Sequence, residues 1–167
     1  DRAALRVRPG GVLEVRVVPR VPVAVWRSRG GLRLIDGQGV VSGVLTSRAA
    51  RADLPLIAGA GAPVRLDEAL ALHAAAAPLG SRLRGLVLIG QRRWDLVLED
   101  GLRILLPAED AVPALERVIV MDITQELLSR DISVVDMRNP ARPTVRLNPP
   151  AAAVFRPVSG VPALDTQ

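Results

Sequence analysis

Few side chains in this sequence could take part in catalysis or metal binding. The single histidine, His73, lies in an alanine-rich stretch, and the chain has no cysteine. A metal site needs several ligands that converge, and no serine lies in the pattern of a nucleophile elbow. The sequence therefore predicts no catalytic residue, no bound metal and no cofactor.

Two pairs of adjacent carboxylates have ordinary structural explanations. Glu99 and Asp100 lie in a predicted turn, and Glu109 and Asp110 lie where a helix should begin. Turns favour acidic residues, and the helix dipole favours negative charge at its start. Neither pair has a partner group that would orient it for acid–base catalysis. We therefore expect that the protein is not an enzyme.

The positive charge of the chain does not by itself indicate nucleic-acid binding. The formal net charge is +5 and the isoelectric point is about 11.3, and all 22 basic residues are arginine. Proteins that bind nucleic acids usually combine clustered basic residues with aromatic or helical reading elements. Here the aromatic residues are Trp26, Trp94 and Phe155 alone. We expect no nucleic-acid partner.

Arg92 and Arg93 stand directly before Trp94 and allow two interpretations. Arginine beside an aromatic residue is typical of anchors in protein interfaces. The same residues also fit two solvated arginines next to a core tryptophan. The residues alone do not decide between these interpretations.

The N-terminal part of the chain predicts two short strands. Between Val12 and Ser28, apolar and polar residues alternate with the period of a β-strand. Pro19 and Pro22 mark a break, because proline cannot donate to a β-ladder. The polar, glycine-ended connector at residues 27–31 is the predicted domain boundary.

The centre of the chain predicts a hairpin, a helix and a meander. Glycines between residues 32–36 and 40–46 indicate the turn of a hairpin, and residues 67–77 predict an alanine-rich helix with acidic residues at its start. The other predicted elements are a short extended segment at 54–57 and an antiparallel meander at 82–90, 93–99 and 102–106.

The C-terminal part predicts a long helix followed by two strands. Apolar residues recur at helical spacing over residues 109–130. Strands at 132–138 and 144–147 flank a turn rich in proline and asparagine, and the sequence beyond Asn148 predicts a flexible tail. The predicted fold class is α+β, with a mostly antiparallel mixed sheet packed against a long amphipathic helix.

No stretch of the sequence is long and apolar enough to cross a bilayer as a helix. Such a helix needs about 20 apolar residues, and Arg, Asp, Pro or Gly interrupts every apolar run here. The chain begins at Asp1 with no initiator methionine and no signal-peptide pattern. We expect it to be a piece of a longer protein whose membrane anchor lies upstream.

Five segments of the sequence occur in a characteristic order. They are PGGVLEVRVVPRVPVAVWR, LRLIDGQG, LPLIAG, RRWDLVLEDGLRILLP and ISVVDMRNPARPTVRLNP. They resemble, in the FtsQ/DivIB family of bacterial cell-division proteins, the end of the POTRA domain, the opening of the β domain, its short extended segment, its central hairpin, and its closing strand with the turn and the last strand. The series covers residues 9–149, and its order makes the resemblance more specific than any single segment.

The resemblance implies the organisation and the location of the protein. Residues 1–28 would be the C-terminal strands of a POTRA domain, residues 29–149 the β domain, and residues 150–167 a flexible tail. In the family these parts lie in the periplasm, on a single-pass inner-membrane protein at the division septum. The family's β domain recruits FtsB, and with it FtsL, by accepting an FtsB strand beside its last strand, which needs no catalytic residue.

The resemblance also implies a binding site at the C-terminal border of the sheet. A last strand with no strand beyond it offers unpaired N–H and C=O groups to an incoming segment. Arg92 matches the family's arginine that pairs with an acidic residue of FtsB. Asn139 and Leu147 replace a tyrosine and a tryptophan of the family, so the partner surface should differ. The expected partner-binding residues are Arg92, Trp94, Arg138, Asn139, Arg142, Thr144, Val145, Arg146 and Leu147.

Two other functions stay open on the sequence. One is a POTRA-type polypeptide-binding module of outer-membrane assembly or transport, which would carry tandem POTRA repeats and a barrel. The other is a small enzyme that acts on cell-wall material, which would need a polar-lined cleft.

Overall fold

The computed structural model describes residues 2–149, which form two sheets and two α-helices. The helices are α1 (Leu66–Ala75) and α2 (Ala111–Gln125). The strands are β1 (Arg2–Arg8), β2 (Val12–Val18), β3 (Pro22–Ser28), β4 (Gly31–Asp36), β5 (Val41–Leu45), β6 (Leu56–Ala58), β7 (Leu83–Ile89), β8 (Arg93–Leu98), β9 (Arg103–Leu105), β10 (Ile132–Asp136) and β11 (Thr144–Leu147).

Nine of the strands form one mixed sheet in the order β11-β10-β9-β8-β7-β6-β3-β4-β5. Parallel pairs join β3 to β6, β6 to β7, and β9 to β10. The other neighbouring strands are antiparallel. The predicted fold class, α+β with a mostly antiparallel mixed sheet, is confirmed, and the predicted meander is β7, β8 and β9.

The remaining two strands, β1 and β2, form an antiparallel ribbon. The predicted strand after Val12 is confirmed as β2, but most of its apolar side chains are exposed. Leu13, Val15 and Val17 expose 57%, 51% and 58% of their surface. A two-stranded ribbon is marginally stable by itself in water. Within residues 2–149 the ribbon therefore has no core of its own.

Strand β3 belongs to the nine-stranded sheet, whereas the sequence predicts it as part of an N-terminal unit with the strand after Val12. It pairs with β4 and with β6. The polar residues that predicted a domain connector form the hairpin turn between β3 and β4, where Ser28 Oγ accepts the N–H of Gly30 (3.2 Å). Polarity and glycine are typical of hairpin turns as well as of linkers, so the predicted boundary after residue 28 falls inside this hairpin.

Both helices pack against one face of the nine-stranded sheet and bury its core. Leu66, Ala69 and Leu72 of α1, and Leu115 and Val118 of α2, are 3% exposed or less. The strand residues beneath them lie side by side in the ladder register. They are Ile57, Leu86, Leu96, Ile104 and Val135, all buried.

Helix α2 is shorter than the helix predicted over residues 109–130. It ends at Gln125, because the Asp122 side chain bonds to the residues that follow. Glu126 adopts a left-handed conformation (φ 52°), and the chain continues as a short 3-10 turn at Leu127–Ser129. Asp122 Oδ1 accepts the N–H of Leu128 (2.8 Å), and Arg82 Nη1 donates to Asp122 Oδ2 (3.1 Å). These side-chain bonds take the place of the backbone bonds that a longer helix would form. The periodicity of apolar residues does not reveal this competition.

Neither helix in residues 2–149 is long and apolar enough to cross a bilayer. The predicted flexible tail, residues 150–167, lies outside the described residues.

Candidate partner-binding site

Strand β11 forms the C-terminal border of the nine-stranded sheet. Among residues 2–149 it pairs with β10 alone, from Ile132 opposite Leu147 to Asp136 opposite Thr144. A border strand presents on its outer side a row of N–H and C=O groups that no ladder partner satisfies. The last strand predicted from the sequence is confirmed, and it has an open outer side.

Hydrogen bonds near the end of β11 show which of its backbone groups face outward. The N–H of Asn148 donates to Asp131 O (3.1 Å), and Ser133 Oγ donates to Arg146 O (3.3 Å). The backbone groups of residues 146 and 148 therefore face β10. Because successive residues of a strand direct these groups to opposite sides, those of Val145 and Leu147 face outward. An incoming strand would meet these groups.

The turn before β11 is fixed by its own side chain and by α2. Asn139 Oδ1 accepts the N–H of Ala141 (3.1 Å), and Asn139 O accepts the N–H of Arg142 (3.0 Å). Arg117 in α2 donates to Pro140 O (3.2 Å). Asn139 and Arg142 are themselves exposed. The helix therefore holds the turn in place while both of these side chains stay accessible.

The side chains of β11 divide between surface and core. Thr144, Val145 and Arg146 are exposed, and Val145 exposes 50% of its surface. Leu147 is half-buried and packs against the core. Leu147 therefore fixes the end of the strand, whereas the three residues before it are available to a partner.

A groove of about 490 Å³ runs beside β11. In the ladder register Val134 stands opposite Arg103 and Arg146, and Asp136 stands opposite Leu105 and Thr144. These six residues therefore project from one face of the sheet, the face opposite the helices, and they line the groove. The groove combines a short apolar strip with three arginines, Arg103, Arg138 and Arg146.

A buried carboxylate holds one of these arginines in place. Asp95 in β8 is fully buried, and Arg103 Nη2 donates to its Oδ2 (2.7 Å) while Arg93 Nε donates to its Oδ1 (3.4 Å). The Arg103 side chain is still 45% exposed. A guanidinium has five N–H donors, so Arg103 can bind Asp95 and also offer donors to the groove.

A second ion pair lies at the mouth of the groove. Arg138 Nε and Nη2 donate to both oxygens of Asp136, at 2.6 to 3.0 Å. The hydrogen bond from Arg138 lowers the pKa of Asp136, and the carboxylate raises the pKa of Arg138. Both groups therefore stay charged at neutral pH. Arg138, one of the predicted site residues, therefore already donates some of its N–H groups to Asp136 within the chain.

Arg92 and Trp94, which are close in sequence, have different surroundings. Arg92 is exposed in the turn between β7 and β8, at the same end of the sheet as the turn that holds Asn139 and Arg142. Trp94 is 1% exposed, and its indole Nε1 donates to Glu68 Oε2 of α1 (3.2 Å). Trp94 is therefore a core residue whose side chain a partner cannot reach, which corrects its place among the predicted contacts.

Asp95, Arg103 and Asp136 are not among the site residues predicted from the sequence. One signal was present, because Arg93, Asp95 and Val97 alternate with the apolar residues of β8 and so belong to its second face. The pairing of Asp95 with Arg103 depends on the β8–β9 register. That register places Val97 opposite Arg103 and Asp95 opposite Leu105, and alternation alone does not reveal it.

His73 lies apart from this site, half-buried on α1. Burial lowers its pKa, and its Nδ1 is buried without a hydrogen-bond partner. Across the described part of the chain, no three or more carboxylate or histidine side chains are grouped so that they could hold a metal ion.

Comparison with known proteins gives one consistent family. The family model "Cell division protein FtsQ/DivIB, C-terminal" matches residues 24–138. The chain is 52% identical over 153 residues to "Cell division protein FtsQ" of Roseobacter litoralis, covering 92% of this chain and 52% of that protein. Identity to the protein of the same name from Ketogulonicigenium vulgare is 52% over 151 residues, covering 90% and 50%.

A more distant relative shows the same pattern. "Cell division protein FtsQ" of Bradyrhizobium diazoefficiens is 37% identical over 152 residues, covering 91% of this chain and 44% of that protein. The chain thus spans about half the length of the relatives it matches.

The matched range begins in β3 and ends just after β10, so it includes most of the nine-stranded sheet and both helices. This fold and these relatives define a domain of a bacterial cell-division protein. The chain belongs to the FtsQ/DivIB family and contains its C-terminal domain. The resemblance found in the sequence is confirmed.

Proposed function

We propose that the chain is a non-catalytic scaffold of the division machinery that recruits FtsB, and through it FtsL, by adding an FtsB strand to β11. The observation that carries this proposal is the open border. Within residues 2–149, β11 has a ladder partner on one side only, and Val145 and Leu147 direct their backbone groups to the other side. Strand addition uses such groups for affinity and the flanking side chains for specificity.

The two faces beside β11 suit different side chains of the added strand. On the groove face, Arg103 and Arg146 favour acidic residues, since arginine binds carboxylates with two parallel hydrogen bonds. On the helix face, Val145 favours an apolar residue. Because side chains alternate along a strand, an FtsB segment with acidic residues two apart and an apolar residue between them fits this border.

Residues at the end of the border would extend the contact. Arg92, Asn139 and Arg142 are exposed at the same end of the sheet, beyond the first residue of β11. A partly buried pair between Arg92 and a carboxylate of FtsB would contribute about 1–3 kcal/mol. Arg138 is already bonded to Asp136. Its main role would therefore be to neutralise that carboxylate beside the groove, so that Asp136 does not repel acidic residues of FtsB.

The proposal places the domain in the periplasm, at the septum, in a protein anchored in the inner membrane upstream of this chain. The ribbon of β1 and β2 supports an upstream continuation, because Leu5, Val7 and Val12 are 67%, 74% and 58% exposed. Apolar side chains on a two-stranded ribbon need cover from other residues. The rest of a POTRA domain would supply that cover.

The decisive test removes one outward backbone N–H. Val145→Pro should raise the Kd for a peptide from the C-terminal segment of FtsB by about tenfold or more, up to complete loss of binding. The reason is that proline has no N–H to donate to the added strand. Proline is tolerated at strand borders when its missing N–H faced solvent, so the melting temperature should change little. Val145→Ala, which keeps the N–H, is the matched control and should retain most of the affinity.

A charge reversal tests the end of the border. Arg92→Glu should weaken binding of the same peptide, and Arg84→Glu in β7, where the side chain is also exposed, should not. Calorimetric titration measures both variants. Unchanged affinity for the FtsB peptide in both Val145→Pro and Arg92→Glu would remove β11 as the FtsB-binding site.

A further inference from the structure

A second concave surface lies on the part of the sheet farthest from β11. This arginine groove has a volume of about 940 Å³ and is lined by Trp26, Arg27, Arg29, Arg33, Val41 and the segment 58–61. It crosses β6, β3, β4 and the start of β5. No residue of the proposed FtsB site lines it, so it is a separate surface.

The floor of the groove is preformed and partly apolar. Trp26 is half-buried, and its indole Nε1 donates to Gly59 O (3.1 Å). Gly59 has a φ of +106°, and a Cβ there would lie 2.4 Å from Leu88 O, so glycine is required where the chain leaves β6 and passes close to the backbone of β7. Trp26 also stands opposite Arg33 in the β3–β4 ladder, so both side chains project to the same face.

The charge of the groove is of one sign. Its lining includes three arginines and no acidic residue. None of these arginines forms an ion pair with any carboxylate in residues 2–149, whereas the arginines at the β11 border, Arg103 and Arg138, do. The β3–β4 turn that presents Arg29 is braced by Ser28 Oγ, which accepts from Gly30 N (3.2 Å) and donates to Gly31 O (3.0 Å).

The geometry points to a binding site for an acidic segment of a protein partner, a second docking surface beyond the proposed FtsB site. Carboxylates of that segment bind Arg29 and Arg33, and an apolar side chain packs against the exposed part of Trp26. Arg27 follows Trp26 in β3, so its side chain starts from the other face of the strand, and it adds positive charge at the rim of the groove. Arginine and tryptophan together are typical of interface anchors. A protein segment fits better than a nucleic acid, because the site is one short concavity with a single aromatic residue rather than a basic stripe with several.

The test titrates the protein with a short synthetic peptide in which a pair of adjacent glutamates lies on each side of a serine-leucine-serine centre. This peptide lacks the acidic–apolar–acidic alternation proposed for the segment that binds the β11 border. The matched probe has glutamine in place of glutamate. We expect the glutamate peptide to bind at least about tenfold more tightly, and its affinity should fall as salt is raised. Calorimetry gives the affinity, and tryptophan emission reports on the groove, since Trp94 is 1% exposed and Trp26 is the accessible indole.

Two triple variants with equal change in charge locate the binding. The groove variant is Arg27→Glu, Arg29→Glu and Arg33→Glu, and the border variant is Arg92→Glu, Arg142→Glu and Arg146→Glu. Loss of peptide binding in the groove variant alone supports the inference, provided that circular dichroism shows the same fold. The groove variant should still bind the FtsB peptide, which separates this inference from the proposed function.

Several results would overturn the inference. Equal losses in both triple variants would show that the peptide responds to net charge alone. Equal binding of the glutamate and glutamine peptides would remove the role of the arginines. Binding of phosphatidylglycerol vesicles or of a single-stranded oligonucleotide through Arg27, Arg29 and Arg33, without binding of the glutamate peptide, would assign the groove to a different class of partner.

Discussion

Asp36 and Asp95 are both buried, 6% and 0% exposed, and they lie in opposite halves of the nine-stranded sheet. Asp36 ends β4 beside the border strand β5. Its Oδ1 accepts the N–H groups of Gln38 (3.0 Å) and Val40 (2.9 Å), and Arg20 donates to its Oδ2. Asp95 lies within β8, and its bonded partners are the side chains of Arg93 and Arg103.

The two carboxylates show two ways of burying one charge. The oxygens of Asp36 are satisfied partly by a turn that follows it directly in the chain, so its bonds form as soon as the hairpin forms. The bonds of Asp95 come from side chains that only the completed β8–β9 pair brings together. Removing the arginine partners should therefore lower the free energy of unfolding more for Asp95 than for Asp36, because the side chains of Arg93 and Arg103 are the donors to Asp95.

The largest expected effect comes from isolating Asp95. The double variant Arg93→Met, Arg103→Met leaves a fully buried carboxylate without a partner, and we expect it to lose about 3–5 kcal/mol of unfolding free energy. Urea denaturation followed by circular dichroism measures the loss. Adding Asp95→Leu should recover most of the lost unfolding free energy. The buried residue at position 95 would then be apolar and would pack against the methionine side chains, whereas in the double variant it is an unpaired carboxylate.

This rescue distinguishes a charge effect from a packing effect. If the triple variant is as unstable as the double variant, the arginines stabilise the sheet through their aliphatic stems and not through Asp95. Each single arginine variant should fall between the wild type and the double variant, since the other arginine still contacts Asp95.

A smaller effect is expected in the other half of the sheet. Asp36→Ala removes the acceptor for two backbone N–H groups in the β4–β5 turn, and we expect the melting temperature to fall by about 3–6 °C. Scanning calorimetry measures the change. Asp36→Asn keeps an acceptor oxygen and should lose less. A fall in Asp36→Ala as large as that of the Arg93, Arg103 double variant would contradict the contrast drawn between the two carboxylates.

The same contrast explains how much could be predicted from the sequence. The β4–β5 hairpin, the meander and the last strand were all predicted, because alternation and glycine-containing turns are local signals. Family membership could also be recognised from local signals, because the segments that carry the resemblance are short and occur in a fixed order. The β11 border followed from chain order alone, as the last strand of the described sheet.

Other features depend on contacts between distant residues and could not be predicted. The strand β3 pairs in parallel with β6, about 30 residues further along the chain, and the local pattern around Pro19 and Pro22 suggested a different grouping. Trp94 has the same alternation whether it faces a partner or the core, and the contact with Glu68 decides it. The end of α2 depends on Arg82, which reaches Asp122 from β7's preceding turn.

The smallest expected effect is a dependence of stability on pH, and it again separates the two halves of the sheet. The hydrogen bond from Arg20, followed by that from Val40, lowers the pKa of Asp36, and Arg138 lowers the pKa of Asp136. A carboxylate whose pKa is lower in the folded than in the unfolded state binds protons more weakly when folded. Its stabilising contribution is therefore complete above the unfolded pKa, near about 3.9, and is lost as the pH falls through the folded pKa.

The measurement compares the melting temperatures of the wild type, Asp36→Asn and Asp136→Asn between about pH 7 and about pH 2.5. The wild type should be the most stable at neutral pH, and its advantage over Asp36→Asn should shrink as the solution becomes acidic. Asp136→Asn should show a smaller version of this convergence, because the Asp136 side chain is 22% exposed and that of Asp36 is 9% exposed, so solvent screens the Arg138 pair more. A difference between wild type and Asp36→Asn that stays constant with pH would mean that neither the Arg20 pair nor the backbone bond from Val40 favours the charged form of Asp36.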